Sequence, residues 1–181
     1  MAHEQNSKCA CSTDDNSILL GQASQVNKLA NFWLTRGNME LGSLLTDFTE
    51  KLLAKRQGEE TQLHAWVLAG KVLIAENRGD LPQALAHARE AEALSLRLHG
   101  EKHPALAIAR GNVGEVLAKI GEAPEEARRY LSQAIFVLSD KASVSKEYSR
   151  DYLVKAVASF AQVLQTLPPR PPKDKDADGS K

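Results

Sequence analysis

Three glycines, Gly37, Gly79 and Gly121, stand 42 residues apart, and each sits in a similar phrase: Thr35-Arg36-Gly37-Asn38-Met39, Asn77-Arg78-Gly79-Asp80-Leu81 and Lys119-Ile120-Gly121-Glu122-Ala123. Each follows one amphipathic stretch and precedes another. A glycine there can take the left-handed conformation that ends a helix, so the chain reverses into an antiparallel partner. The second stretches correspond as well: Ala84, Ala88 and Ala91 match Ala127, Leu131 and Ala134 at an offset of 43, the extra residue being absorbed in the turn. Units of this length, each a helix–turn–helix, cannot bury their apolar faces alone and must stack. The period therefore predicts an all-α fold built as an α-solenoid.

The side-chain spacing agrees. After Pro104, Leu106, Ala109, Val113, Val116, Leu117 and Ile120 share one helical face; after Pro124, Ala127, Leu131, Ala134, Ile135 and Leu138 do so. Leu153, Ala156, Val157, Phe160, Leu164 and Leu167 form a last stripe. It belongs to a lone helix after Val144 that covers the end of the stack, with Asp151, Lys155, Ser159 and Gln162 turned outward. Pro82, Pro104 and Pro124 each precede a periodic stretch, where proline is tolerated. No segment alternates with the period of a half-buried strand. Aromatics are 5% of the chain, so the core is built from Ala, Leu, Val and Ile. Small residues recur where helices must approach: Gly70 and Gly114 in first helices, Ala84, Ala91, Ala127 and Ala134 in second ones.

Residues 1–16 are polar and are expected to be disordered, as is the proline-rich, charged tail 168–181; residues 17–167 form the helical domain. The tail contains Pro168-Pro169-Arg170-Pro171-Pro172-Lys173, which fits a proline-helix ligand pattern but reads first as a linker. Lys plus Arg and Asp plus Glu are 23 each, which argues against a nucleic-acid binder. No apolar run reaches the roughly 20 residues of a membrane span. From the polar opening residues neither a signal nor a transit peptide is expected, and a cytoplasmic location is expected.

Chemistry-bearing residues do not assemble. Cys9 and Cys11 supply half of a tetrahedral site, with no other Cys in the chain. His99 and His103 flank Glu101 in a loop between Gly100 and Pro104 and lack the helical zinc-protease pattern. His64 and His87 are isolated on helices. No catalytic residue, metal or cofactor is expected.

The residues also carry a resemblance. The units Gly79-Asp80-Leu81-Pro82-Gln83-Ala84 and Gly121-Glu122-Ala123-Pro124-Glu125-Glu126-Ala127, with Asn112-Val113-Gly114 in a first helix, resemble the tetratricopeptide repeat. The loop Leu98-His99-Gly100-Glu101-Lys102-His103-Pro104 looks like the connector of the 42-residue subtype found in kinesin light chains. The match covers Leu63 to Leu138 well. It is weaker over Ile18 to Arg56, where Gly42 and Thr49 replace the expected alanines. The resemblance implies a right-handed solenoid of about three repeats plus a capping helix. It also implies a non-catalytic adaptor that binds a protein or peptide partner on a concave face lined by first helices. Carried onto this chain, that face is expected to use Lys28, Asn31, Leu68, Val72, Ile108, Asn112, Glu115 and Lys119, apolar in the middle and polar at the ends. A self-associating module is the alternative, so the chain is expected to be a monomer or a weak homo-oligomer.

Overall fold

Every stretch with helical spacing is a helix. A computed structural model describes residues 13–56, 58–140 and 147–167. Its elements are α1 (Thr13–Thr35), α2 (Met39–Lys55), α3 (Gln62–Asn77), α4 (Leu81–His99), α5 (Pro104–Ile120), α6 (Pro124–Leu138) and α7 (Glu147–Thr166). No strand occurs among the described residues. α1 pairs with α2, α3 with α4 and α5 with α6; α4 then packs on α5, and α7 closes the array against α6 and α5. The architecture is an all-α repeat solenoid. α1 starts at Thr13, inside the segment expected to be disordered. Residues 1–12 and the tail 168–181 lie outside the described residues.

The glycine spacing marks the hairpin turns. Gly37, Gly79 and Gly121 have φ of 83°, 76° and 78°. In the first two turns the residue after the glycine does double duty. The Asn38 and Asp80 N–H groups donate back to the Trp33 and Ala75 carbonyls at 3.0 Å, closing the preceding helix. Asn38 Oδ1 and Asp80 Oδ1 then accept from Leu41 N–H and Gln83 N–H, opening the next. The third turn holds the extra residue, and its N-cap, Ala123, makes no side-chain cap. There Pro124 presets the first helical φ, and Glu125 and Glu126 face the positive helix end.

Close helix approach rests on glycine in both outer hairpins. A Cβ on Gly42 would lie 2.4 Å from Leu34 Cδ2, and one on Gly114 would lie 2.6 Å from Leu131 Cγ and 3.1 Å from the Leu131 backbone nitrogen. The roles are exchanged between the two. α1 supplies the leucine and α2 the glycine, whereas α5 supplies the glycine and α6 the leucine. Thr46 and Thr49 take small-residue positions in α2 because their buried hydroxyls donate to the Gly42 and Leu45 carbonyls at 2.8 Å, which removes the desolvation cost. Between repeats, Arg110 of α5 donates to Glu92 of α4 and to Glu101 of the connector, tying the His-Pro loop to the helix it precedes.

The core passes from unit to unit. One cluster joins Ala23, Leu52, Leu53, Leu63 and Val67; a second runs from Val72 and Ala75 through Ala84, Ala88, Val113, Val116 and Leu131 to Ala156 and Val163 of α7. The stripe expected on α7 is partly corrected. Ala156, Phe160 and Leu167 pack inward with Val163, whereas Val157 and Leu164 are about half exposed. Asp151, Lys155 and Gln162 do face outward, but Val154 is exposed beside them.

Candidate functional site

Packing each first helix beside the next brings α1, α3 and α5 together, and α7 closes one side. Between them lies a groove made of two adjoining cavities of about 300 and 260 Å³. Both are lined by Asn31, Trp66, Ala69, Asn112 and Tyr152. One extends to Lys28, Ser95, His99, His103 and Ile108, the other to Val72, Leu73, Glu76, Glu115, Asp151 and Lys155.

Six of the eight expected residues line this groove: Lys28, Asn31, Val72, Ile108, Asn112 and Glu115. Leu68 does not. It lines a separate furrow beside Leu53, His64, Val67 and Leu94, on the side of the second helices. Lys119 lines neither cavity, but its ammonium lies 2.7 Å from the carboxylate of Glu76, which does. The expectation omitted Trp66, 42% exposed, and its neighbours Ala69 and Leu73. Helix α3 is apolar all round, so periodicity cannot say which apolar side stays open. The folded array does say it: positions 43 residues apart share the groove, Asn112 with Ala69, Ile108 with Ala65 and Glu115 with Val72. The same offset carries Leu68 onto Gly111, which is buried with its missing Cβ 3.7 Å from Ala134.

The groove is electrically uneven. Glu76 and Glu115 side chains are each 12% exposed, in the same cavity as Asp151. Burial raises the Glu115 carboxyl's affinity for protons above its ordinary value; Lys155 opposes this, Glu76 adds to it and Lys119 opposes it. Tyr152 is likewise pushed up by burial and then by Glu115 and Asp151, so its phenol stays protonated. At the other end, the rings of His99 and His103 stack with centroids 4.3 Å apart, and His99 Nε2 lies 2.5 Å from Gln62 Oε1.

Glu115 has a consequence for stability. A carboxyl that binds protons more tightly when folded makes stability fall as pH rises from its ordinary value through its raised folded value. At neutral pH its ionised form opposes folding. Glu115→Gln is therefore expected to stabilise the protein by about 1 kcal/mol at pH 7, with the gain vanishing below the usual carboxylate range. Urea unfolding at pH 7 and pH 4 checks this, and an equal gain at both would exclude charge as its cause.

Set against known proteins, residues 63–136 match the tetratricopeptide repeat family. The match runs from α3 through most of α6, covering the second and third hairpins. No curated protein matches the chain. Tetratricopeptide repeats generally mediate protein–protein interaction, and the family is typically non-catalytic. No helix among the described residues is long and apolar enough to cross a membrane.

Proposed function

We propose that this protein is a non-catalytic adaptor that holds a segment of a partner protein in the groove between α1, α3, α5 and α7. The observation that carries this reading is the groove's lining. Trp66 stands 42% exposed beside the amides of Asn31 and Asn112. Exposed indole supplies apolar anchoring area, and side-chain amides can bond a peptide backbone whatever its sequence. The 42-residue spacing and the His-Pro connector support assigning the repeats to the longer subtype. The balanced charge supports a protein partner over nucleic acid, and a cytoplasmic location fits the same reading.

Retention of a partner from native cell extract tests it, with wild type, the double variant Trp66→Ala/Asn112→Ala and the distant control Glu40→Ala. The expected result is a protein held by wild type and by Glu40→Ala and reduced at least tenfold by the groove variant, whose circular dichroism is unchanged. Equal retention by all three overturns the reading.

A second reading, self-association, is favoured by one observation. Phe136 is 81% exposed on α6, and Val154, Val157 and Leu164 are exposed on α7, at the same end of the array. Sedimentation at rising concentration decides it: a dimer that Phe136→Ser turns into monomer supports self-association, and a monomer throughout removes it.

A further inference from the structure

We propose that the groove is built for an extended partner segment carrying a basic side chain, seated at Glu76, Glu115 and Asp151, with a small uncharged hydrogen-bonding side chain a few residues away at Ser95. This rests on the adaptor reading above and names the chemistry of the segment held.

Charge complementarity is the first support. One half of the groove is lined by Glu76, Glu115 and Asp151 against Lys155. The other half is lined by Lys28 and two histidines and by no carboxylate. The protein's own cations meet the acidic half incompletely: Lys119 reaches it from outside, and Lys155 lines it without closing on Glu115. Lys119 on Glu76 and Lys155 near Glu115 are 51% and 54% exposed, and Lys155 stops 3.9 Å from Glu115. Among the described residues no hydrogen bond reaches the Glu115 carboxylate. A carboxylate so deeply placed is best satisfied by a donor-rich cation, and a guanidinium offers a planar fork of donors. Trp66 and Tyr152 line the same cavity, so its aromatic surface can also attract the cation.

The second support is independent of charge. Ser95 lines the other half, is 1% exposed, and its hydroxyl has no hydrogen-bond partner among the described residues. Asn27, which lines the same cavity, is 2% exposed. A hydroxyl left unpaired at that depth is costly, and a ligand group reaching it removes the cost. The two places are flanked on α5 by Ile108 and Glu115. Those residues are separated by roughly 10 Å at the rise of an α-helix. An extended chain covers that distance in about three residues.

Fluorescein-labelled seven-residue peptide pools, otherwise random, test the proposal with arginine, citrulline, glutamate or leucine fixed at the centre. Each is titrated by anisotropy against the full chain. Citrulline keeps the shape of arginine and loses its charge. The arginine pool is expected to bind about tenfold more tightly than the citrulline pool. Glu115→Gln should shrink that preference several-fold, with Glu76 and Asp151 supplying what remains. Fixing asparagine three residues from the arginine should tighten binding a few-fold, and Ser95→Ala should remove that gain. Equal binding of arginine and citrulline pools, or preference for glutamate, overturns the proposal. If the pools then still lose affinity in Trp66→Ala/Asn112→Ala, the adaptor reading stands without it. Pools that bind that variant as well as wild type, or bind neither, overturn both.

Discussion

Gly114→Val is expected to destabilise the protein by roughly 3 kcal/mol, a fall of about 6–12 °C in melting temperature for a chain of this size. The cause is the α5–α6 crossing. A Cβ at Gly114 would sit 2.6 Å from Leu131 Cγ and 3.1 Å from its backbone nitrogen, so rotating the leucine alone cannot relieve it. The helices must part, and Leu131, fully buried, loses its packing with them. Leu131→Ala alone should cost about 2–5 kcal/mol through the cavity it leaves. The double variant should cost less than the sum, by between about 0.5 and 3 kcal/mol, because the valine fills part of that cavity. Gly21→Ala is the control. Gly21 lies within α1 with nothing within 4 Å of its missing Cβ, so alanine there should stabilise by about 1 kcal/mol through helix propensity. Thermal and urea unfolding of the four variants measures all of this. Strict additivity of the Gly114 and Leu131 effects would show that the two residues do not define the crossing.

Ending the chain at Asp140, which removes α7, is expected to lower the melting temperature by more than about 10 °C and to expose α5 and α6 to amide exchange. Ala156 and Val163, with Phe160 and Leu167 beside them, complete the cluster that holds Val113, Val116, Leu117 and Leu131. In a stacked array each unit is stabilised only by its neighbours, so the last hairpin without α7 presents that apolar surface to water. Binding of a hydrophobic dye should rise accordingly. Unfolding and exchange that match the full chain would mean α7 is an appendage and not a cap. The truncation also removes Asp151, Tyr152 and Lys155 from the groove. Loss of preference for a basic peptide should accompany it even at temperatures where the remainder stays folded.

Much of the fold was legible because turns and small residues act locally. Gly37, Gly79 and Gly121 take positive φ for reasons confined to a few residues, and the extra residue in the third turn is visible in sequence and in the lost side-chain cap. Lys28, Asn31 and Asn112 were legible in the groove because each is polar on a helix with a clear apolar opposite side. Leu68 was misplaced because α3 has no polar side to orient it. Trp66 and Tyr152 went unrecognised because an aromatic at helical spacing reads as core until its neighbours are in place.

The amino-acid sequence by itself determined the helices, their reversals and the repeat, since backbone conformation and apolar periodicity depend on residues near in the chain. Only the tertiary structure decided which apolar face of α3 remains open and which of α7's two apolar stripes is covered. It alone brought Glu76, Glu115 and Asp151 into one cavity and left Ser95, in the next, without a hydrogen-bond partner among the described residues. Those properties depend on how neighbouring helices cross, and crossing is set by side-chain volumes meeting from distant parts of the chain.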